Sequence, residues 1–423
     1  MKLLIKAAHV IDPANSIDTV CDVLIEKKYI TKIGNNIKSD DAKVIDAKGL
    51  FLIPGLVDLH VHFRDPGYEY KETIESGIQA AIKGGFVACV TMPNTKPATD
   101  NASILRDILT KAATAKFRIF PSGAITKGRA GKELTEMAEM KEAGCLAITD
   151  DGDCVADSLL FRRALEYAKM NKLVVMVHAE EHDLSKNGCM NESIVSSKMG
   201  LRGIPNAAED VIVARDIELA RLTGAHVHFQ HVSTKRAVEM IRDAKKDGVN
   251  ITAEAAPHHI ALSDEDIVDY DTNMKMNPPL RRPEDKKAVV QGIKKGIIDA
   301  IATDHAPHSI LEKDVEFDKA PFGTIGLETA LAVVLTELFH SGIMSLPDVV
   351  ERMSIAPQRI LGVDGFAAVK EGSEANLCLF DLDKEWVVGE NSFASKSSNS
   401  CFIGKTLRGK VVGTVVGGVL HEV

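Results

Sequence analysis

Short apolar, β-branched runs alternate with longer stretches of helical period between about residue 56 and residue 364, and this rhythm constrains the fold more than any other feature. We predict eight strands: Leu56–His62, Val87–Thr91, Phe117–Phe120, Cys145–Thr149, Leu173–His178, His226–Gln230, Asn250–Glu254 and Asp299–Thr303. Candidate helices follow most of them: Lys71–Lys83, Asp157–Lys169, Ala208–Leu222, Lys235–Lys245 and Gly326–His340. Eight such units close into a (β/α)8 TIM-type barrel, so the predicted class is α/β.

The two ends of the chain lack this rhythm. Residues 1–55 and 365–423 have the pattern of short strands joined by turns, for example Asp22–Glu26 and Ala375–Leu382. We predict that both ends together build one small β-sandwich domain, with the barrel of residues 56–364 inserted between them. Two unrelated appendages are the alternative arrangement.

Composition excludes several classes of protein. The 423 residues are 45% hydrophobic and 26% charged, which excludes global disorder. A net charge of −9 without a basic cluster argues against nucleic acid as a partner. No run reaches the roughly 18 apolar residues of a membrane span, and the start does not resemble a secretory signal. The seven cysteines are scattered, which predicts reduced thiols and a cytoplasmic location.

The predicted strand ends carry groups that bind metal ions or move protons. His60 and His62 share one face of a strand, with Cα atoms about 6–7 Å apart. Further strand ends supply the pair Asp150-Asp151, then His178, His231 and Asp304. Imidazole and carboxylate ligands without thiolate suit catalytic zinc, and also Mn, Co or Fe. Six ligands exceed one tetrahedral site but suffice for two ions about 3.5–4 Å apart.

Two loops are long for a compact domain, namely Glu180–Ala207 after the fifth strand and His305–Gly323 after the eighth. Loops of this length are usually functional or mobile. We predict that the second forms a lid over the mouth of the barrel.

Longer motifs make the chain resemble a known family. The run Pro54-Gly55-Leu56-Val57-Asp58-Leu59-His60-Val61-His62-Phe63-Arg64-Asp65-Pro66-Gly67 is similar to the signature of the cyclic amidohydrolases, and of type I dihydroorotases in particular. Further matches are Met92-Pro93-Asn94-Thr95, Thr149-Asp150-Asp151-Gly152, Met276-Asn277-Pro278-Pro279-Leu280-Arg281, Ala302-Thr303-Asp304-His305-Ala306-Pro307-His308 and Ala320-Pro321-Phe322-Gly323. The likeness covers nearly the whole chain.

The resemblance implies a zinc enzyme, with one or two Zn²⁺ ions per subunit, that interconverts N-carbamoyl-L-aspartate and L-dihydroorotate in pyrimidine biosynthesis. It implies the metal ligands His60, His62, Asp151, His178, His231 and Asp304. Asp151 would bridge the metals, at a position where many amidohydrolases carry a carboxylated lysine. A metal-held hydroxide would attack the ring amide, with Asp304 as general acid and base.

The substrate carries a carboxylate, which favours a planar, always-charged partner such as Arg64, two residues beyond His62. A surface salt bridge to Asp65 or Glu69 is the alternative role of Arg64. By the resemblance, Asn94 and His308 help Arg64 to grip the carboxylate. Asn277 and the backbone around Pro321, Phe322 and Gly323 would contact the pyrimidine ring.

Other polar residues near the strand ends are not expected to bind metal. His226 and His228 share a strand face opposite to that of His231 and are interpreted as structural or as supporting residues. Asp150 should point away from the metals, because it alternates with Asp151. A direct ligand role is not expected for His258, His259 or Glu254.

Two other functions remain as alternatives. One is a different cyclic amidohydrolase, such as a dihydropyrimidinase (hydantoinase) or an allantoinase, whose neutral rings need no cationic clamp. The other is a silent scaffold homologue bound to aspartate carbamoyltransferase, although all six ligands are present here. A small-molecule substrate is expected in the main interpretation, and a homodimer and an association with aspartate carbamoyltransferase remain open.

Overall fold

The computed structural model describes residues 2–114 and 117–423. Its strands are β1 (Lys2–Asp12), β2 (Ile17–Glu26), β3 (Tyr29–Gly34), β4 (Lys43–Asp46), β5 (Phe51–Pro54), β6 (Leu56–Val61), β7 (Phe86–Thr91), β8 (Arg118–Pro121), β9 (Ala147–Ile148), β10 (Val174–Val177), β11 (Met190–Asn191), β12 (Gly203–Ile204), β13 (Val227–Phe229), β14 (Ile251–Ala255), β15 (Ala300–Ile301), β16 (Leu377–Val387), β17 (Thr406–Val416) and β18 (Val419–Glu422).

The α-helices are α1 (Ile74–Lys83), α2 (Ala102–Thr114), α3 (Met137–Glu142), α4 (Ser158–Met170), α5 (His182–Ser185), α6 (Ile194–Met199), α7 (Ala207–Thr223), α8 (Lys235–Lys246), α9 (Pro257–Ala261), α10 (Pro283–Lys294), α11 (Ile310–Lys313), α12 (Ala330–Val334), α13 (Leu346–Val350) and α14 (Ala356–Leu361). Two stretches are wound as π-helix, Leu335–Phe339 and Glu351–Ile355. Single 3-10 turns occur at Pro13–Asn15, Lys127–Arg129, Asp264–Asp266 and Thr272–Met274.

The eight strands predicted for the repeated units are all present, mostly one or two residues shorter at their ends. They form two parallel sheets, one of β6, β7 and β8 and the other in the order β15-β14-β13-β10-β9. Single parallel bridges join Gly123 to Ile148 and Val61 to His305, at the two places where the sheets meet. The α/β class predicted from the sequence is confirmed.

Burial on both faces explains why the sequences of these strands are continuous apolar runs. Every residue of β6 and β7 is buried, as in parallel strands that are covered on both faces. Helix α8 buries Ala237, Val238, Ile241 and Ala244, a helical stripe of apolar residues, whereas its charged residues are exposed or half-buried. The hydrophobic effect therefore holds helices against the outer faces of the strands.

Strands from both chain ends share one eight-stranded sheet, in the order β18-β17-β16-β5-β1-β2-β3 with β4 beside β1. β5 joins the two halves, because it runs parallel to β1 and antiparallel to β16, with Leu52 opposite Leu379. The sequence pattern does not predict β5, because this short apolar segment directly precedes β6. The sheet has its own buried cluster, which includes Leu3, Val23 and Val415.

Two predicted helices begin later than expected. Thr73 has extended backbone and its side chain accepts from the Ser76 amide, so α1 begins at Ile74 rather than Lys71. Lys71 therefore lies outside the helix. The helix predicted from Gly326 begins at Ala330 and continues as π-helix. The predicted lid loop, His305–Gly323, contains the short helix α11.

All seven cysteines are free, in agreement with the prediction of reduced thiols. Within residues 2–114 and 117–423, none of the helices has the length and apolar character that crossing a membrane requires.

Candidate metal centre and anion pocket

Six donor side chains predicted from the strand ends lie together at one end of the two parallel sheets. His60 belongs to β6, and the others follow their strands by one to three residues: His62 after β6, Asp151 after β9, His178 after β10, His231 after β13 and Asp304 after β15. All six are buried. The carboxyl ends of parallel strands meet at one edge, and this brings residues distant in the chain into one cluster.

His60, His62, Asp151 and Asp304 form the first part of the cluster. His60 Nε2 lies 3.1 Å from Asp151 Oδ1, and His62 Nε2 lies 3.5 Å from Asp151 Oδ2. Asp304 Oδ1 is 3.0 Å from His62 Nε2 and 3.5 Å from His60 Nε2. Two imidazoles and two carboxylates thus converge on one small volume.

His178 and His231 form the second part, on the other side of Asp151. His178 Nδ1 and His231 Nε2 are 2.9 Å apart, and they lie 3.9 and 3.8 Å from Asp151 Oδ1. The donor atoms of His60, His62 and Asp151, and likewise those of Asp151, His178 and His231, lie within 4.8 Å of one another. Asp151 is therefore the one residue common to both groups.

The backbone at two of these residues turns their side chains towards the cluster. His231 has φ of 32° and Asp304 has φ of 48°, a left-handed region that costs L-residues strain. Strict alternation along β13 would place His231 away from the face of His228. The turn after Phe229 instead places the His231 ring 5.1 Å from the His60 ring. Such strained residues persist where the surrounding structure holds them.

Acceptors behind three histidines set which ring nitrogen faces the cluster. His60 Nδ1 is 3.0 Å from Glu254 Oε1, His62 Nδ1 is 2.9 Å from Asn94 Oδ1, and His178 Nε2 is 2.9 Å from Glu180 Oε2. Each outer nitrogen donates to an oxygen, so the neutral ring has its lone pair on the inner nitrogen. Metal-ligating histidines are commonly oriented in this way.

Two buried polar atoms without a hydrogen-bond partner indicate whether a cation fits the cluster. His60 Nε2 and Asp151 Oδ1 are buried without a hydrogen-bond partner among the described residues, although they face each other. A buried polar atom without a partner costs about 1–3 kcal/mol, which a cation bound between them would offset. Nitrogen and oxygen donors in this number suit zinc and related divalent ions. The residues therefore fit a metal ion.

The ionisation of the cluster reflects its two buried carboxylates. Burial opposes a charge on His60, but Asp151 and Asp304 outweigh it and hold the pKa of His60 well above its usual value. Burial would raise the pKa of Asp151, yet the positive charge of His60 and the ring nitrogens of His231 and His60 facing it hold that pKa well below the usual range. The site thus attracts positive charge.

Arg64 lies beside this cluster without a direct ion pair among the described residues. Its Nε donates to the Pro307 carbonyl at 3.3 Å, and its Nη2 lies 3.4 Å from His308 Nε2. The described residues place no carboxylate within ion-pair distance of its guanidinium. Among the described residues, neither alternative salt bridge of Arg64 forms. Asp65 pairs with Lys111 instead, and Glu69 accepts from the Gly67 amide. A buried or half-buried cation without a counter-ion favours an anionic ligand.

The two predicted asparagines contact the metal cluster. Asn94 bonds to His62 and donates from Nδ2 to Asp151 Oδ2 at 3.4 Å, so it lies on the metal side of the pocket rather than against Arg64. Asn277 donates to Glu180 Oε2 at 2.9 Å, and its Nδ2 is 3.5 Å from His178 Nε2.

The backbone predicted to meet the substrate ring is held in place by the rest of the molecule. The Pro321 carbonyl accepts from Lys313 Nζ at 2.9 Å, and the Phe322 carbonyl accepts from His308 Nε2 at 2.8 Å. The Gly323 amide donates to the Lys275 carbonyl at 2.9 Å. Loop His305–Gly323 is thus tied to neighbouring segments.

Several supporting residues around the cluster are not predicted by the sequence pattern. Glu254 was not expected to ligate, and it instead joins His60 to His228, whose Nε2 lies 3.0 Å from Glu254 Oε2. Burial would raise the pKa of Glu254, but bonds to these two rings lower it to about 2. Glu180 was not considered, although it lies two residues after His178. Asp150 points away from the cluster, as alternation predicts, and accepts from Thr126.

Comparison with solved structures shows the fold. An L-hydantoinase (dihydropyrimidinase) from Arthrobacter aurescens superposes with a TM-score of 0.87 at 24% identity, covering 99% of this chain and 95% of that chain. A dihydropyrimidinase from Brevibacillus agri superposes with a TM-score of 0.84 at 22% identity, with the same coverage. The chain therefore has the fold of these two proteins along nearly its whole length.

Sequence comparison is more specific. The profile of the Dihydro-orotase-like family matches residues 49–237. Curated proteins named dihydroorotase align along the whole chain: the one from Trichlorobacter lovleyi is 49% identical over 99% of this chain and 98% of its own length, and that from Geobacter metallireducens is 48% identical over 99% of each. The chain belongs to the dihydroorotase family.

Proposed function

We propose that this protein is a dihydroorotase, which reversibly cyclises N-carbamoyl-L-aspartate to L-dihydroorotate in the synthesis of pyrimidines. One observation carries the choice of substrate: the guanidinium of Arg64 lies beside the histidine–aspartate cluster and has no direct ion pair among the described residues. A ring that bears a carboxylate needs such a cation, whereas a neutral hydantoin or dihydropyrimidine does not. Family membership supports the same choice.

The metal roles are part of the proposal. His60, His62 and Asp304 would hold one ion, His178 and His231 a second, and Asp151 would be shared by both. We propose zinc, with one or two ions per subunit. Divalent cations in such a site supply Lewis acidity and lower the pKa of a bound water.

The residues of the chain supply the proton transfer and the orientation. In ring opening, a water oxygen attacks the ring amide carbon, Asp304 accepts the proton of that water, and the ring C–N bond breaks as Asp304 returns the proton to the departing nitrogen. Ring closure is the reverse. Arg64 would bind the substrate carboxylate, helped by His308 and, from the metal side of the pocket, by Asn94. Asn277 and the backbone of 321–323 would contact the ring.

We also propose how the strands close into a barrel and how the two chain ends form a second domain. The bridges Gly123–Ile148 and Val61–His305 support closure of the eight strands into a (β/α)8 barrel of residues 56–364. The shared sheet supports a single β-sandwich domain from residues 1–55 and 365–423. Seven free cysteines support a cytoplasmic location. A homodimer and an association with aspartate carbamoyltransferase stay predictions, checked by the mass of the protein alone and in mixture with that enzyme.

A substrate panel tests the function. Ring opening of dihydroorotate is expected to exceed that of dihydrouracil, hydantoin and allantoin by orders of magnitude. Hydantoinase activity is the competing function, because the structural neighbours carry that name. Activity on uncharged rings only would exclude the dihydroorotase assignment.

The variant Arg64→Met tests the clamp. It should keep its metal content and lose at least about 100-fold in kcat/KM for dihydroorotate, because a charge-assisted bidentate contact is removed. Arg118→Met changes an exposed arginine of β8 and serves as the matched control. Unchanged kinetics in Arg64→Met would place the carboxylate site elsewhere.

A further inference from the structure

Lys71 lies beside the anion pocket, and the function proposed above gives it no role. Its side chain is 12% exposed. Its Nζ is 3.3 Å from His308 Nδ1 and 2.8 Å from Glu312 Oε1. The lysine is in this position because α1 begins only at Ile74, so the segment before it is free to turn towards the pocket.

The contacts of His308 allow only one tautomer. The Phe322 carbonyl, 2.8 Å from Nε2, can only accept, so Nε2 must carry a proton. The Lys71 ammonium, 3.3 Å from Nδ1, can only donate, so Nδ1 must carry a lone pair. His308 is therefore neutral and protonated at Nε2. Burial and the positive charges of Arg64 and Lys71 also hold its pKa well below the usual range.

This tautomer determines what Arg64 can do. Arg64 Nη2 is 3.4 Å from His308 Nε2, but two donors face each other there and no hydrogen bond forms. The described contacts of the guanidinium are then limited to the bond from Nε to Pro307. With the other tautomer, His308 Nε2 would accept from Arg64 and occupy a donor that the anion needs.

Glu312 is the group that would favour the other tautomer of His308. Its Oε2 lies 3.8 Å from His308 Nδ1 and would favour a proton there. Its carboxylate instead pairs with Lys71 and accepts from Ser309 Oγ and Tyr70 Oη. Lys71 thus neutralises the charge of Glu312 and, at the same time, donates to the His308 ring. The rings of Tyr68 and Tyr70 flank the ammonium at 5.5 Å.

We propose that Lys71 is a positioning residue of the substrate-carboxylate site: by donating to His308 Nδ1 it holds His308 as the Nε2–H tautomer, which bonds to the Phe322 carbonyl and leaves Arg64 free for the anion. The proposal rests on the proposed function. Lys71 acts through His308 and need not touch the substrate.

Kinetics of Lys71→Met provide the first test. Loss of the ammonium should raise KM for dihydroorotate about tenfold, the value of one charge-assisted hydrogen bond, and change kcat by less than about threefold. Lys71→Arg, which keeps a cationic donor, should restore most of the lost affinity. Lys396→Met is the matched control, because Lys396 Nζ donates to the nearby Glu69 carbonyl. An unchanged KM in Lys71→Met would overturn the proposal.

A double-mutant cycle separates action through His308 from simple attraction of the anion. In a His308→Ala background, Lys71→Met should change KM by less than about twofold, because the group through which it acts is gone. An undiminished tenfold effect in that background would overturn the proposal, since the lysine would then act directly on the anion.

A measurement on the unaltered holoenzyme tests the tautomer of His308 directly. Nitrogen-15 chemical shifts of the histidine rings, with His308 assigned by comparison with His308→Ala, should show protonated Nε2 and bare Nδ1 at neutral pH. The reverse tautomer or a doubly protonated ring would overturn the proposal. If the unaltered enzyme opens dihydroorotate but its His308 is in the reverse tautomer, only this inference fails; if it does not open dihydroorotate, the proposed function fails.

Discussion

Asp151 shows how a short side chain can stand between two groups of histidines. Its Oδ1 faces His60 at 3.1 Å and His178 and His231 at 3.9 and 3.8 Å, while Oδ2 faces His62 at 3.5 Å. By the resemblance to the family, Asp151 stands where many amidohydrolases carry a longer, carboxylated lysine. Here the cluster is compact enough for an aspartate to approach both sides.

Asp304 is the residue whose replacement should affect chemistry most. Asp304→Asn keeps the shape of the side chain but removes a base, so ring opening of dihydroorotate should fall by about 10²–10⁴-fold. Metal content, measured on the same sample, should be largely retained because the four histidines and Asp151 remain. Asp153→Asn is the control, since Asp153 pairs with Arg129 outside the cluster. Substantial residual turnover would remove the proton-transfer role.

At the scale of elements, a segment from the C-terminal part of the chain holds the loop His305–Gly323. Asn399 accepts from the His308 amide at 3.0 Å and donates to the carbonyls of Ala306 at 3.2 Å and Gly323 at 3.1 Å. One side chain therefore joins the two ends of the loop. Residues predicted to meet the substrate lie within that loop, so its geometry depends on a residue outside the strand–helix units.

Asn399→Ala should loosen the loop. Three hydrogen bonds are lost, each with a net value of about 1 kcal/mol, so we expect a loss of about 1–3 kcal/mol in the free energy of unfolding. Loop residues 310–319 should become more sensitive to limited proteolysis, and KM for dihydroorotate should rise. The neighbouring Ser398→Ala is the control. A loop as resistant as that of the unaltered protein would contradict the anchoring role.

At the scale of the whole molecule, the site residues also bind the parallel strands to one another. Glu254, at the end of β14, bonds to His60 of β6 and His228 of β13 and is fully buried. A carboxylate satisfied in this way has a depressed pKa and contributes stability that depends on pH. Burial opposes the effect at Glu180 also, but the bond and charge of His178 lower its pKa to about 2.

The lowered pKa of Glu254 predicts how the stability of the metal-free protein responds to acid. The pKa of Glu254 falls from 4.5 to about 2 on folding, so the unfolded chain binds more protons between these values. The stabilisation is therefore present above about pH 4.5 and lost as pH falls towards 2; a fall in pKa from 4.5 to about 2 corresponds to about 3 kcal/mol. Urea unfolding at several pH values measures it.

The variant Glu254→Gln provides the comparison for acid unfolding. Its free energy of unfolding should be lower at neutral pH and should decline less steeply below pH 4.5. Glu265→Gln, which changes an exposed carboxylate, should follow the unaltered protein. A Glu254→Gln slope equal to that of the unaltered protein would assign the acid sensitivity to other groups.

Local pattern was enough to predict the strand–helix rhythm and the donors at strand ends. His60 and His62 share a face because a strand repeats every two residues, and Asp150 points away from the cluster because it alternates with Asp151. Their proposed roles also drew on the resemblance to a family. β5 escaped prediction because a short apolar run beside another strand has no periodicity of its own.

What the sequence by itself determined is which chemical groups occur at which strand ends, because covalent spacing and the period of each element are local properties. Only the tertiary structure decided how His231 and Asp304 turn into the cluster, since their positive φ is maintained by surrounding packing. It also decided the partnership of His60 with Glu254, and the contacts by which Lys71 and Asn399 reach His308. Those contacts join residues far apart in the chain, so hydrophobic burial of the whole molecule had to bring them together first.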